Sequence, residues 1–398
     1  MSKKTLLVLA ASLYQLDTIQ TAKRLGYRVI TTDNVPSNPG HALADKSYHI
    51  DTTDLEGVLA IALDERIDGI ISPCTDVSVP TAAYVSERMG LVGPPYESTT
   101  ILCDKAAFRD FLTSQGLPCP RAYKINRDTQ LSIEISANQK WIIKPDKSSG
   151  SKGIFVLESA SDFVQRLPQT LSFSPTGCGV IEEYISGHQG TCEGILRDGK
   201  LLVTLITDRQ TMPLPYVATC GHNVPSSLSE LQKSRLLDRL NQVFSILKIT
   251  DGPFDCDFVA TKDDVYLIEM TPRMGGNSLN TLWRKCYDFD IVEYSVKAAC
   301  GQAPNMSELG EPRVVGLVLL GTHQTGKLSY DVSELRRLQQ EKWVDYIAID
   351  LPNGTSVEAF INGRHRVGEA LIYAENPEQL RERIHDLKTA LALKAEQD

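Results

Sequence analysis

Apolar residues run unbroken from Leu6 to Ala11, recur at helical spacing over about 15–25, stop at Gly26 and resume over 27–32. A short unbroken run predicts a strand buried on both faces, and a 3.6-residue period predicts an amphipathic helix, so the chain opens as a βαβ unit. The pattern returns as a strand from Ser47 to Ile50, a helix from about Leu55 to Glu65 and the strand Gly69-Ile70-Ile71-Ser72. Together these predict a doubly wound α/β domain over residues 1–97. Its first turn, Ala10-Ala11-Ser12, has no Gly-x-Gly-x-x-Gly, which argues against a nicotinamide site.

Gly93-Pro94-Pro95 interrupts the pattern, and a helix is predicted from about Ser98 to Gln115, ended by Gly116-Leu117-Pro118. From 121 to 183 short strands alternate with turn residues, predicting a compact α+β unit. Strands near 191–206 and 254–270 flank a helix at about 229–247, and a further helix is expected at 290–299. The remainder, 306–398, reads as another α+β module closing in a charged amphipathic helix, Pro377 to Lys394.

A chain of 398 residues, 42% hydrophobic and 23% charged, has material for several cores. The net charge of −9 excludes a general electrostatic footprint for nucleic acid, so a polyanionic ligand must meet a local basic cluster. The nine cysteines show neither a CxxC pair nor zinc-site spacing and are expected to be reduced thiols of a cytoplasmic protein. The N-terminal apolar run is too short to span a bilayer, so no membrane partner is expected.

Three constellations carry candidate chemistry. Lys144-Pro145 leads into Asp146-Lys147-Ser148-Ser149-Gly150-Ser151-Lys152-Gly153, a loop of small residues with a cation at the end of a strand. Phosphate needs close backbone N–H groups and a fixed positive charge, although a surface hairpin would look alike. Asp257 and Glu269 lie in two apolar stretches joined by Thr261-Lys262-Asp263-Asp264; an antiparallel hairpin would bring them together as hard oxygen ligands of the kind Mg²⁺ takes beside phosphates. Thr271-Pro272-Arg273-Met274-Gly275-Gly276-Asn277 follows at once, with an arginine to grip a carboxylate and glycines that allow a ligand near the backbone. His222, in a Gly- and Pro-containing turn, and Asp76, at the carboxyl end of a strand, are candidates for the same cleft.

The order of these pieces resembles the ATP-grasp superfamily. The likeness rests on Lys105 in Cys-Asp-Lys-Ala-Ala-Phe, Lys144 in Ile-Ile-Lys-Pro, the flexible loop, Glu182-Glu183-Tyr184-Ile185-Ser186-Gly187, the Asp257/Glu269 pair and Pro272-Arg273. It implies an N-terminal αβ domain (1–97), an ATP-grasp domain (98–305) with a lid over 121–183 and a core over 184–305, and a C-terminal α+β subdomain (306–398). It further implies that Lys105 and Lys144 meet the phosphates of ATP, that residues 148–153 close over them, and that Glu182, Glu183, Tyr184 and Ile185 form the hinge that reads adenine. Gln189 stands where many relatives place a ribose-binding Glu. Asp257 and Glu269 match ligands of Mg²⁺, with Mn²⁺ as a substitute, while Thr271 replaces a supporting Asn.

The reaction implied is transfer of the γ-phosphoryl group to a carboxylate, followed by attack of an amine on the acyl phosphate. Arg273 would steady the carboxylate, and Asp76, His222, Gly275, Gly276 and Asn277 would line the substrate pocket. Within the superfamily the chain looks most like amino-acid ligases and related carboxylate-amine ligases, whose partners are small molecules and which are commonly homodimers. A bicarbonate-using carboxylase or carbamoyl-phosphate type enzyme and a non-catalytic nucleotide-binding subunit are the alternatives.

Overall fold

The computed structural model describes residues 3–396 apart from 137, 303, 305, 307 and 308, so the expected outer domain limits and the position at 305 lie outside the described residues. Strand β1 (Thr5–Leu9), helix α1 (Leu16–Arg24), β2 (Arg28–Thr32), α2 (Gly40–Leu43), β3 (Lys46–Tyr48), α3 (Leu55–Asp64), β4 (Gly69–Ile71) and α4 (Val79–Met89) build the N-terminal layer. Its strands lie parallel in the order β3-β2-β1-β4. Every residue of β1 is buried, as its unbroken apolar run requires.

The helix expected over 98–115 is two helices, α5 (Tyr96–Leu102) and α6 (Lys105–Ser114). Asp104 between them is extended and accepts from the N–H groups of Ala106 and Ala107, capping α6. Lys105 therefore opens a helix instead of riding mid-helix, and it is buried.

The next unit contains β5 (Ala122–Asn126), β6 (Trp141–Pro145), β7 (Phe155–Leu157), α7 (Ala160–Leu171) and β8 (Cys178–Glu183), with sheet order β5-β8-β6-β7. Helix α7 was not predicted because Pro168 reads as a breaker; Pro168 sits near the end of α7, which starts in a Ser159/Asp162 capping box.

An eight-stranded sheet of order β13-β12-β9-β10-β11-β14-β18-β16 dominates the remainder. Strands β9 (His188–Arg197) and β10 (Lys200–Thr211) form a hairpin whose turn holds Asp198 and Gly199 at φ 52° and 73°. Then come β11 (Thr219–Val224), α8 (Glu230–Ile246), β12 (Gly252–Ala260), β13 (Val265–Thr271), α9 (Leu279–Tyr287) and α10 (Ile291–Ala299). Neither β11 nor α9 was predicted.

The C-terminal stretch supplies β14 (Val314–Leu320), β15 (Gly326–Ser329), α11 (Val332–Leu338), β16 (Val344–Ile349), β17 (Ser356–Val357), β18 (Gly368–Ala374), α12 (Pro377–Leu391) and β19 (Lys394–Glu396). Strands β14, β18 and β16 extend the central sheet beyond β11, so the stretch from 306 onward shares its sheet with the residues before it.

Helix α10 packs on the N-terminal layer: Ile291, Val292 and Val296 share one core with Ile19 and Ala22 of α1. The approach is close, since a Cβ at Gly69 of β4 would lie 2.4 Å from the carbonyl oxygen of Ala299. The loop after β4 meets the segment after β13, with Cys74 Sγ 3.1 Å from the Gly275 carbonyl, and both line the cavity described next. Among the described residues no helix is long and apolar enough to cross a membrane.

Candidate active site

A cavity of about 330 Å³ lies between the 122–183 sheet and the central sheet, reached also by residues 74–76, 276–277 and 363–364. That is within the range of small-ligand sites. Its walls include Lys105, Lys144, Ser148, Ser149, Gly150, Ser151, Lys152, Glu182, Glu183, Tyr184, Ile185 and Gln189, together with Asp257, Glu269, Asp76, His222, Arg273, Gly276 and Asn277. Two expected residues are corrected. Gly153 lies behind the wall, where a Cβ would meet Phe173 at 2.9 Å, and Gly275 turns its N–H to Glu193 Oε1 at 2.6 Å.

Strands β12 and β13 pair antiparallel with Asp257 opposite Glu269, and the register shifts just beyond Asp257. The irregularity arises where both carboxylates stand at one spot instead of drifting apart with the ladder. Thr191 of β9, opposite Asp257, donates to its Oδ1 at 2.6 Å. Arg209 Nη1 lies 3.3 Å from Asp257 Oδ2. Lys105 Nζ lies 2.8 Å from Glu269 Oε1 and donates to the Ser148 carbonyl at 3.1 Å. Burial opposes the Lys105 charge, but Glu269, Asp76 and Glu182 outweigh it and raise its pKa. Among the described residues no three His, Cys, Asp or Glu side chains converge as a metal cage. A cation here would take two carboxylates from the protein and the rest of its oxygens from phosphate and water, which suits Mg²⁺.

Lys144 ends β6 and pairs with Glu182 of β8. Burial lowers the Lys144 pKa; Glu182 opposes the shift and Arg109 adds to it. Arg109 Nε donates to Glu182 Oε2 at 2.6 Å, and its Nη2 to the Ile268 carbonyl, also at 2.6 Å. Although burial alone would raise it, Glu182 is held down to about 2 by Arg109 and Lys144. Its carboxylate is thus committed to two cations, while Glu183, Tyr184 and Ile185 beside it line the cavity. Sequence reasoning missed Arg109. The available signal was its place four residues after Lys105, on the same face of α6.

The loop after Lys144 is tied at both ends. Lys105 N donates to the Asp146 carbonyl at 3.0 Å, and the Asp146 side chain accepts from Lys147 N at 2.7 Å and Ser174 Oγ at 2.7 Å. Gly150 and Ser151 take φ of 68° and 59°, and Gly363 N donates to the Gly150 carbonyl at 3.0 Å. The C-terminal stretch thereby brings Arg364 beside Lys152, whose pKa is lowered by burial and then by Arg364.

At the other end Arg273 donates from Nε to Asp76 Oδ1 at 2.8 Å and from Nη1 to Asp255 Oδ2 at 2.7 Å. The guanidinium expected to steady a ligand carboxylate is thus held by two aspartates where it lines the cavity. Thr271 donates to Asp76 at 3.2 Å, away from the metal-type pair. Asp255 and Glu193 were not foreseen. Glu193 accepts from Trp283 Nε1 at 2.7 Å and is pushed up to about 8 by burial and by Asp255; burial likewise pushes Asp255 up to about 6.

His222 is buried and stands opposite Arg209 across β10 and β11. The Thr207 hydroxyl donates to the Thr191 carbonyl at 3.4 Å and lies 2.9 Å from His222 Nδ1. Nε2 has no partner among the described residues. Burial lowers the His222 pKa to about 4, so the ring is neutral at pH 7.

Residues 102–277 match the model of the ATP-grasp domain. Those residues form an ATP-grasp domain. Over 292 residues it is 23% identical to the L-arginine-specific L-amino acid ligase of Bacillus subtilis, covering 66% of each chain. Over 402 residues it is 25% identical to a formate-dependent phosphoribosylglycinamide formyltransferase of Burkholderia vietnamiensis, covering 96% of this chain and 93% of that one. The crystal structure of L-amino acid ligase from Bacillus licheniformis superposes with a TM-score of 0.82 at 17% identity, covering 100% of both chains. The chain spans 55% and 66% of the length of the first curated relatives it matches. The ATP-grasp fold accounts for the 122–183 sheet, the central sheet and the cavity between them.

Proposed function

We propose that this protein is an ATP-dependent carboxylate-amine ligase that forms an amide through an acyl phosphate and yields ADP and phosphate. The observation that carries the reading is the sharing of one cavity by Lys105, Lys144, the Asp257/Glu269 pair and the acidic end around Asp76 and Asp255. Phosphoryl transfer asks chiefly for positioning and charge neutralisation, and the two lysines and the 148–152 loop supply both around ATP phosphates. Adenine lies against Glu183, Tyr184 and Ile185, with Gln189 near the ribose. Asp257 and Glu269 fit Mg²⁺, which when bound supplies charge neutralisation for the phosphates.

The acidic end suits the second substrate. Asp76 and Asp255 together exceed the single charge of Arg273 and leave a net negative wall, which attracts an ammonium group. His222 is neutral, so its unpartnered Nε2 can meet a polar group of that substrate without repelling a charge. Nine free cysteines fit a reducing compartment, and we place the protein in the cytoplasm. The test is phosphate release from ATP and Mg²⁺ with carboxylic acids and amines supplied singly and in pairs. Release that requires one acid and one amine supports the reading, and release with bicarbonate alone contradicts it.

A further inference from the structure

Arg109 is 3% exposed and lies behind the cavity wall. It spans two sheets: Nε meets Glu182 of β8 at 2.6 Å, and Nη2 meets the carbonyl of Ile268 of β13 at 2.6 Å. Glu182 in turn holds Lys144. Ile268 directly precedes Glu269, inside the stretch where β13 slips register against β12. One guanidinium therefore ties the strand carrying the phosphate-facing lysine to the strand carrying the metal-type carboxylate.

We propose that Arg109 is a positioning residue with two separable roles: it keeps Lys144 electrostatically available to a polyphosphate, and it sets the β13 backbone that aims Glu269. The first role follows from charge counting. Lys144, Arg109 and Glu182 form a buried triad of net charge +1, whereas without Arg109 the remaining pair is neutral and closed. A closed buried pair offers little to a ligand anion, because the carboxylate has no other cation. The second role follows from the Nη2 bond, which is independent of Glu182.

The inference rests on the reading of Lys144 as a contact to nucleotide phosphate. The test is calorimetric titration of the full-length protein with ADP in EDTA, together with the Mg²⁺ concentration for half-maximal phosphate release under the best substrate pair. Arg109→Met is expected to weaken ADP binding about tenfold or more, the scale of one charge-assisted contact. The double variant Arg109→Met/Glu182→Gln removes the carboxylate that closes on Lys144 and leaves bound ADP as the counter-charge for its buried ammonium, so it is expected to recover most of that loss, while its Mg²⁺ requirement stays raised because the Ile268 bond is absent. Arg109→Lys, which keeps the charge and loses the fork, is expected to bind ADP within about threefold of the parent while needing more Mg²⁺.

Thermal unfolding of each variant separates these effects from misfolding, and Arg109→Lys carries the test if Arg109→Met does not fold. ADP binding unchanged in Arg109→Met, or no recovery in the double variant, overturns the inference while leaving the nucleotide site intact. Failure of the parent protein to bind ADP overturns the reading of the site and the inference with it.

Discussion

The two ends of the cavity hold their cations differently. Around the loop after β6, Lys105 faces Glu269, while Lys144 and Arg109 share Glu182, so positive charge exceeds the carboxylates that hold it. Around Asp76 the count reverses, and Arg273 is clamped between two aspartates. The first end suits a polyanion and the second a cation. The difference teaches that a basic residue in a cleft identifies a ligand only after its own partners are subtracted. Arg273, read alone, predicts an anion site, and the two aspartates change the charge it presents there.

Removing a carboxylate from the hairpin should have the largest effect. Glu269→Gln keeps the shape but halves the hard-ligand charge, and phosphate release should fall about a thousandfold, as measured in a coupled assay at saturating Mg²⁺. Next, Lys144→Met should lower kcat by about a hundredfold, the usual scale for one preorganised charge on a transferring group. Asp76→Asn is the sharper comparison. It weakens the acidic end, so the KM for the amine should rise about tenfold, while ADP affinity by calorimetry stays within about twofold. Equal losses in both would dissolve the distinction between the ends.

A smaller effect concerns stability. His222 in the folded protein is held to about 4, below its ordinary 6.5. Between those values the unfolded chain binds the proton and the folded one does not, so stability falls as pH drops from about 6.5 to 4. His222→Gln should flatten that limb in chemical denaturation followed across this window. The smallest change is expected at Gln189, where a carboxylate in place of the amide should alter the KM for ATP by no more than about threefold, through one ribose hydrogen bond.

Much of the lysine-rich end was legible because each piece is local. The 146–153 loop follows its own lysine, and Asp257 and Glu269 sit on one hairpin whose pairing follows from two apolar stretches and a short polar turn. The acidic end was only partly legible. Glu193 and Asp255 meet through the pairing of β9 with β12, Arg273 follows β13 of the same hairpin as Asp255, and Asp76 reaches them from the loop after β4, a long-range meeting that no local pattern encodes. Arg109 stayed hidden for a related reason: an arginine on an amphipathic helix is ordinarily solvated, and only the slot between Glu182 and Ile268 makes it a buried strut. Strand β11 was missed because its Gly, His and Asn break the alternation that marks strands, although those residues put His222 on the cavity wall. The join of β14, β18 and β16 to the central sheet is a long-range pairing of the same illegible kind.

The measurement that tests the central claim most directly is phosphate release from ATP and Mg²⁺ over a matrix of amino acids, other small carboxylic acids, amines and bicarbonate, with Glu269→Gln as control. The ligase account predicts release that requires an acid and an amine together, stoichiometric with a new amide detected by mass spectrometry, and absent in the control. Release driven by bicarbonate alone, or release with no amide formed, would contradict it.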